Sequence, residues 1–504
     1  MFTELARDDR RVRRAGHAAA RCAKNRTTLV TRLAGLLLIA VASVAGATPT
    51  IATWQTPEGA KVLFSPAPDL PMVDVQVVFD AGSARDGVQP GLAALTGAML
   101  DQGAGDLDAD AIAERIESVG AELSAGAGRD MVTISLRSLT DPKALEPAVD
   151  TLLRVLGEPT FDTGELERVR RNTLTALRLA EQDPGSVASK AFYRAVFGDH
   201  PYASDPSGTP ESVSSMQADD LRIFHQRYYT APNATIAIVG ALTRGEAEGL
   251  AGRISAVLPA GEAPAPLPPV PALPGASEAR IAFPSSQTHI LAGHPGMSRG
   301  DPDYFALYVG NHILGGSGLV SLLMDEVREA RGLSYSVYSY FAPMARSGPF
   351  TLGLQTKNDQ ADQALSVLLD TLRRFVTDGP TAEELDAAKK NLTGGFPLRI
   401  ASNANVVQYL AVIGFYDLPL DYLERFTERV EAVSAEQIRD AFRRRVHPER
   451  LAVVMVGGGD PSSESPGAAA ASSTSPALAP PPPAANGQAP PPAPLQAPTI
   501  GRGG

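Results

Sequence analysis

A chain of 504 residues is too long for a single small module and can bury a large core. Apolar residues at 44% and charged residues at 20% exclude a polytopic membrane protein and a wholly disordered chain. The formal net charge is -11, but residues 1–47 hold nine basic against three acidic side chains, so the remainder carries -17 and suits neither nucleic acid nor an anionic membrane.

Eight arginines from Arg7 to Arg32 precede an uncharged stretch, Leu33 to Ala47, which closes on Ala45-Gly46-Ala47. That pattern predicts a signal peptide over residues 1–47, cut after Ala47, and a periplasmic mature protein. At ~1.5 Å per residue the apolar stretch falls short of a ~30 Å hydrocarbon core, so no stable membrane span is expected after cleavage. Cys22, the single cysteine, lies inside this leader. The mature chain should therefore contain no disulfide, no thiolate nucleophile and no cysteine metal site.

Val73, Val75, Val77 and Phe79 alternate with Asp74, Gln76 and Asp80 as in a half-buried strand, and Val132, Ile134 and Leu136 alternate likewise with Thr133, Ser135 and Arg137. Between them, Leu92, Leu95, Met99 and Leu100 form one helical stripe and Ile112, Ile116 and Val119 another, closed by Gly120. Later, Phe350, Leu352 and Leu354 mark a strand, and Ala364, Leu365, Leu368, Leu372 and Phe375 a helix. Without strict βαβ alternation, the class is α+β rather than a doubly wound sheet.

Seven prolines and one charge, Glu262, fall between Pro259 and Gly275, the composition of an extended, semi-rigid connector. From Pro461 to Gly504 there are twelve prolines, two charges and no aromatic residue, which predicts a disordered tail over 460–504. The flanking segments repeat. Val213, Met216, Ala218, Leu221, Arg222 and Gly240 recur 217 positions on as Val430, Val433, Ala435, Ile438, Arg439 and Gly457. Glu165-Leu166 and Arg171-Asn172 recur 219 positions on as Glu384-Leu385 and Lys390-Asn391, with Thr381 and Glu384 set for a capping box. We therefore expect two homologous two-layer α/β-sheet domains, 48–258 and 276–459, joined by the proline-rich linker 259–275.

Several short motifs then converge. The first half carries Phe79-Asp-Ala-Gly-Ser83, Pro90-Gly-Leu-Ala93, Asp183-Pro184, His200-Pro-Tyr202, Gly208-Thr209 and Tyr228-Tyr-Thr-Ala-Pro-Asn233. The second carries Asn311-His-Ile-Leu-Gly-Gly316 and Glu326-Val-Arg-Glu-Ala-Arg-Gly-Leu-Ser-Tyr335. Over residues 50–458 the chain resembles the insulinase and mitochondrial processing peptidase family, whose zinc enzymes carry the inverted motif H-x-x-E-H.

Where the resemblance places that motif, this chain has Ala94, Gly97 and Ala98, and the family's distal zinc-ligand glutamate falls at Ala176. A methyl group or hydrogen offers no lone pair to zinc. The first half therefore reads as a catalytically empty copy, with no cofactor in this chain. The six histidines of the mature chain, His200, His225, His289, His294, His312 and His447, show no paired helical spacing around a carboxylate. His289 and His294, five apart on a strand, should face opposite ways, and His200 before Pro201 suits a turn. There is no G-x-S-x-G elbow and no phosphate loop, and Gly457-Gly-Gly459 reads as a strand end.

The resemblance also implies an arginine and, seven residues on, a tyrosine that contact the substrate backbone and the tetrahedral intermediate. Arg328 and Tyr335 match that spacing. The structural alternative makes Arg328 a cation near a helix C-terminus and Tyr335 a strand aromatic. Lost zinc ligands beside a retained donor pair imply a non-catalytic subunit. Its partner would be a homologous H-x-x-E-H zinc subunit in a heterodimer, its ligand an extended peptide, and its Arg328 and Tyr335 would be donated in trans. The alternative is a stand-alone peptide-binding or scaffold protein of the same fold.

Overall fold

The computed structural model describes residues 49–459, so the expected leader with its cleavage point and the expected tail lie outside the described residues. The first half builds a six-stranded sheet from β1 (Ala52–Gln55), β2 (Lys61–Pro66), β3 (Met72–Phe79), β6 (Glu122–Ala127), β7 (Val132–Leu139) and β8 (Ala234–Gly240), in the order β1-β2-β8-β3-β7-β6. A two-residue ladder, β4 (Gly103–Ala104) with β5 (Leu107–Asp108), stands apart. The second half builds a five-stranded sheet from β9 (Ser277–Phe283), β10 (Gln287–Pro295), β11 (Val337–Phe341), β12 (Pro349–Lys357) and β13 (Ala452–Gly458), in the order β11-β12-β10-β13-β9.

The two sheets share one plan. In the first, β2 runs parallel to β8, and β8, β3, β7 and β6 then pair antiparallel in turn. In the second, β9 runs parallel to β13, and β13, β10, β12 and β11 follow in the same way. The repeat read from Gly240 and Gly457 lands on this equivalence. A Cβ on either would come within 2.4 and 2.7 Å of the backbone oxygens of Met72 and Gln287, at the start of the neighbouring strand.

The α-helices of eight or more residues in chain order are α1 (Leu92–Met99), α2 (Ala109–Glu117), α3 (Pro142–Gly157), α4 (Thr163–Glu181), α5 (Pro184–Phe197), α6 (Ala218–Tyr228) and α7 (Arg244–Ala256). The second half adds α8 (Tyr304–Asn311), α9 (Ala361–Asp378), α10 (Ala382–Arg399), α11 (Asn403–Phe415) and α12 (Ala435–Arg445). The expected capping box of Thr381 and Glu384 opens α10. Equivalent positions Glu165-Leu166 and Glu384-Leu385 sit in the first turns of α4 and α10.

The halves exchange one helix each. Helix α5 of the first half packs on β10 and β13, while α11 of the second packs on β8, β3 and β2. Each docks across a glycine: a Cβ on Gly293 would meet the Phe192 ring at 2.7 Å, and one on Gly414 would meet Leu63 at 2.5 Å. Helix α11 buries Val406, Val407, Leu410, Ala411 and Ile413. At ~1.5–3 kcal/mol for each large apolar side chain, that is of the order of a whole domain's net stability. The expected two-layer halves are present, but the exchange adds a cover to the second face of each sheet and merges the described residues into one unit. It also corrects the half-buried reading of β3, where Asp74 and Val78 are buried too.

The proline-rich stretch 259–275 has no helix or strand, as its composition predicts, yet it is no free connector. Leu267 is buried in an apolar cluster with Phe192, Phe197 and Val454. Side chains of both halves hold its carbonyls: Arg346 Nε donates to Leu267 O at 2.6 Å, and Arg85 Nη1 to Ala265 O at 2.8 Å.

Candidate functional site

Helix α1 is placed firmly even though it carries no metal ligand. The buried Asp86 carboxylate accepts from the backbone N–H groups of Gly91 and Ala93 at 2.7 and 2.8 Å, satisfying donors that a helix start leaves open. Burial raises the Asp86 pKa to about 7, and the two N–H bonds only partly offset that. The Pro-Gly and Gly-Thr motifs meet behind this turn. A Cβ on Gly91 would lie 2.8 Å from Gly208 Cα, so the two chains cross with no room for a side chain.

On α1 itself, Ala94 and Ala98 are half-buried. Gly97 is buried, yet a Cβ built there meets no atom within 4 Å, so the helix faces open space where the family carries its carboxylate. Helix α4 packs against α1, and Ala176 lies exposed on it, whereas Leu166, Val169, Arg170 and Leu177 are its buried residues. Ala94, Gly97, Ala98 and Ala176 offer zinc no oxygen, nitrogen or sulfur side-chain donor, so these residues do not fit the metal.

Among the described residues no group of three or more His, Cys, Asp or Glu could hold a metal ion. Three of the histidines have local hydrogen-bonding roles. His200 sits at the turn it was expected to make, its Nδ1 accepting from Tyr202 N at 3.1 Å and its Nε2 3.0 Å from Pro268 O. His225 Nε2 lies 2.9 Å from Leu156 O, and His294 Nε2 accepts from His447 N at 3.1 Å. Burial pushes His225, His294 and His312 down to about 4.

The second-half pair is brought together. Arg328 lies in the last turn of a π-helical segment, Met324–Glu329, which Ala330 N caps by donating to Asp325 O at 2.9 Å. Such single-turn bulges are uncommon in helices and are frequent at functional sites. The expectation of a helix C-terminus is met, but Tyr335 is no strand aromatic: it precedes β11 on a bend and is 83% exposed. The Arg328 guanidinium carbon lies 4.9 Å from the Tyr335 ring centroid, a cation–π contact.

Glu326 leaves Arg328 free of a strong ion pair. Its carboxylate takes Arg374 at 2.7 Å and Arg331 at 2.5 Å, and these two contacts hold it below the usual carboxylate range. Arg328 has only Glu329, at 3.5 Å and solvent-exposed. A second π segment, His312–Gly316, docks the Asn-His-Ile-Leu-Gly-Gly motif on β11. Asn311 Nδ2 donates to Ser339 O at 3.0 Å, and Ser339 Oγ donates back to Asn311 Oδ1 at 2.8 Å.

The family description "Insulinase (Peptidase family M16)" matches residues 61–209, and "Peptidase M16 inactive domain" matches residues 215–392. The crystal structure of a peptidase M16 inactive domain from Pseudomonas fluorescens is 42% identical, with a TM-score of 0.79, and the match covers 81% of this chain and 98% of that one. The chain belongs to the insulinase family, peptidase family M16.

Relatives within M16 carry both kinds of name. An "uncharacterized zinc protease" of Mycobacterium leprae is 29% identical over 76% of this chain and 86% of its own length. A "non-peptidase homolog" of Helicobacter pylori is 28% identical over 74% of this chain and 85% of its own. Names do not choose between them for this chain; the residues on α1 do. They place it with the M16 proteins that lack the zinc-binding motif. No helix among the described residues is long and apolar enough to cross a membrane.

Proposed function

We propose that this chain is the non-catalytic, substrate-binding subunit of a heterodimeric zinc endopeptidase of the periplasm. Its partner is a homologous subunit carrying H-x-x-E-H and the zinc, and an extended peptide is held between them. The observation that supports this reading most is the asymmetry between the two sites. Four ligand positions carry only alanine or glycine, while Arg328 and Tyr335 stay stacked and accessible, with only the exposed Glu329 carboxylate near Arg328, at 3.5 Å.

Within this chain the chemistry is positional. A guanidinium fork and a phenol are fixed donors, so they can orient a peptide carbonyl and stabilise negative charge as it develops on that oxygen. Hydrolysis itself belongs to the partner. Co-expression with the H-x-x-E-H protein tests this: the complex should hydrolyse peptides, and Arg328→Ala and Tyr335→Phe should each slow turnover by roughly a hundredfold, the usual loss for one oxyanion donor. Turnover equal to that of the unaltered complex contradicts donation in trans.

A second reading rests on the same contact. Arg328 and Tyr335 also satisfy each other, which favours a stand-alone peptide-binding or scaffold protein. A stable monomer or homodimer that ignores the zinc protein supports that alternative.

A further inference from the structure

Helix α5 packs chiefly on β10 and β13, and on the same face of the sheet Thr351 and Gly353 of β12 are buried beside side chains of β11. Strand register sets Tyr338, Gly353 and Leu291 in one row across that face, and places Gln355 opposite His289 in the next. Gly353 carries no side chain, and the Tyr338 ring lies across it: a Cβ there would come within 2.4 Å of the ring. Tyr338 and Tyr340 stack with centroids 5.9 Å apart and planes 19° apart, giving a flat aromatic wall. Between this wall and the first turns of α5 lies a cavity of about 190 Å³.

The lining is mixed. Leu291 and the two tyrosines supply apolar surface, and Ser189, His289 and Gln355 supply polar groups. Among the described residues none of these three side chains has a hydrogen-bond partner. Burial holds His289 below its usual range, so near neutral pH its ring offers one donor and one acceptor. A cavity of ~150 Å³ admits a benzene ring, so this one has room for a ring with a polar edge. Ser336, at its rim, directly follows Tyr335.

We propose that this cavity is a subsite for one aromatic side chain with a hydrogen-bonding edge, tyrosine or tryptophan, of a bound extended peptide. The proposal rests on the peptide-binding reading above and deepens it by naming a residue class. Ser189 and Gln355 are exposed at the mouth and keep water, but an aliphatic side chain would leave the half-buried His289 without a partner, which costs roughly 1–3 kcal/mol once that ring is cut off from water. A phenol or indole edge can supply that partner.

The test uses the full chain alone and N-acetyl-tyrosinamide, with N-acetyl-leucinamide and N-acetyl-lysinamide as controls, titrated by ligand-observed NMR. Saturable binding of the tyrosine amide is expected, at least about tenfold tighter than either control. Ser189→Phe, at an exposed position on the mouth of the cavity, should weaken it about tenfold or more, as should Gly353→Ala, which drives Tyr338 inward. Should Gly353→Ala lower the unfolding midpoint, Ser189→Phe decides alone. Equal binding of the tyrosine and leucine amides, or binding unchanged in Ser189→Phe, overturns the proposal. Because neither partner nor hydrolysis takes part, failure here beside Arg328-dependent turnover removes the subsite only. Binding here without such turnover removes only the donation in trans.

Discussion

Tyr416 donates its hydroxyl to Asp130 at 2.9 Å, although 286 positions separate the two in the chain. The same carboxylate accepts from Tyr202 Oη at 2.5 Å and from Ala345 N at 2.7 Å, and Arg346 N donates to Tyr202 Oη at 3.0 Å. One buried carboxylate thus fastens the β6–β7 turn, the His-Pro-Tyr turn, the strand connection at 345–346 and the end of the exchanged helix α11. Asp130→Ala strands three donors at once. It should cost about 3–5 kcal/mol, more than Tyr416→Phe at about 1–2, while urea unfolding stays a single transition. Two separate transitions would show that the halves are independent.

Acid should destabilise the fold. His225, His294 and His312 titrate at about 4 in the folded chain against an unfolded value near 6.5, so the unfolded state binds more protons in that window and stability falls with pH from about 6.5 to 4. Asp86, at about 7, acts oppositely: its folded form holds the proton more tightly, and its contribution is lost as pH rises from about 4 to 7. Asp74 and Asp130, also raised by burial, act with Asp86, but His200 and His289, held down by burial, and Asp183, Asp303 and Glu326, held down by hydrogen bonds, add to the three histidines and outnumber them. Urea midpoints compared at pH 7 and pH 4.5 should fall on acidification, and less steeply in His225→Gln.

Zinc binding should be restorable. Gly97 faces open space and Ala94 and Ala98 are half-buried one turn apart on a capped helix. Ala94→His with Ala98→His should give weak zinc binding by calorimetry, and Ala176→Glu should tighten it. No gain from the glutamate would show that Ala176 is not the position of the distal ligand.

Most of the architecture was legible because it rests on local signals. The alternation of Val132, Ile134 and Leu136 became β7, and Thr381 and Glu384 opened α10, since period and caps are written in neighbouring residues. The duplication was visible through Gly240 and Gly457, whose close backbone contacts admit no side chain. What stayed hidden depends on contacts between distant segments. Nothing in the spacing of Asn403–Phe415 says that this helix serves the other half's sheet, and the extra cover on β3 follows from that. The bonds of Leu267 and Asp130 come from residues far off in sequence. At the site, the spacing of Arg328 and Tyr335 was readable, but their stacking and the π turn beneath them were not.

The pair should matter little to the fold. Tyr335 is largely exposed and Arg328 has no strong partner, so Arg328→Ala and Tyr335→Phe should each change unfolding free energy by less than about 0.5 kcal/mol. Equilibrium unfolding checks this, and a loss above about 2 kcal/mol would assign the pair a structural role.

Zinc content of the purified chain, measured after loading with excess zinc and gel filtration, tests the central claim most directly. The account predicts far less than one zinc per chain and no peptide hydrolysis without the partner subunit. One retained zinc per chain, with hydrolysis that a chelator abolishes, would contradict it.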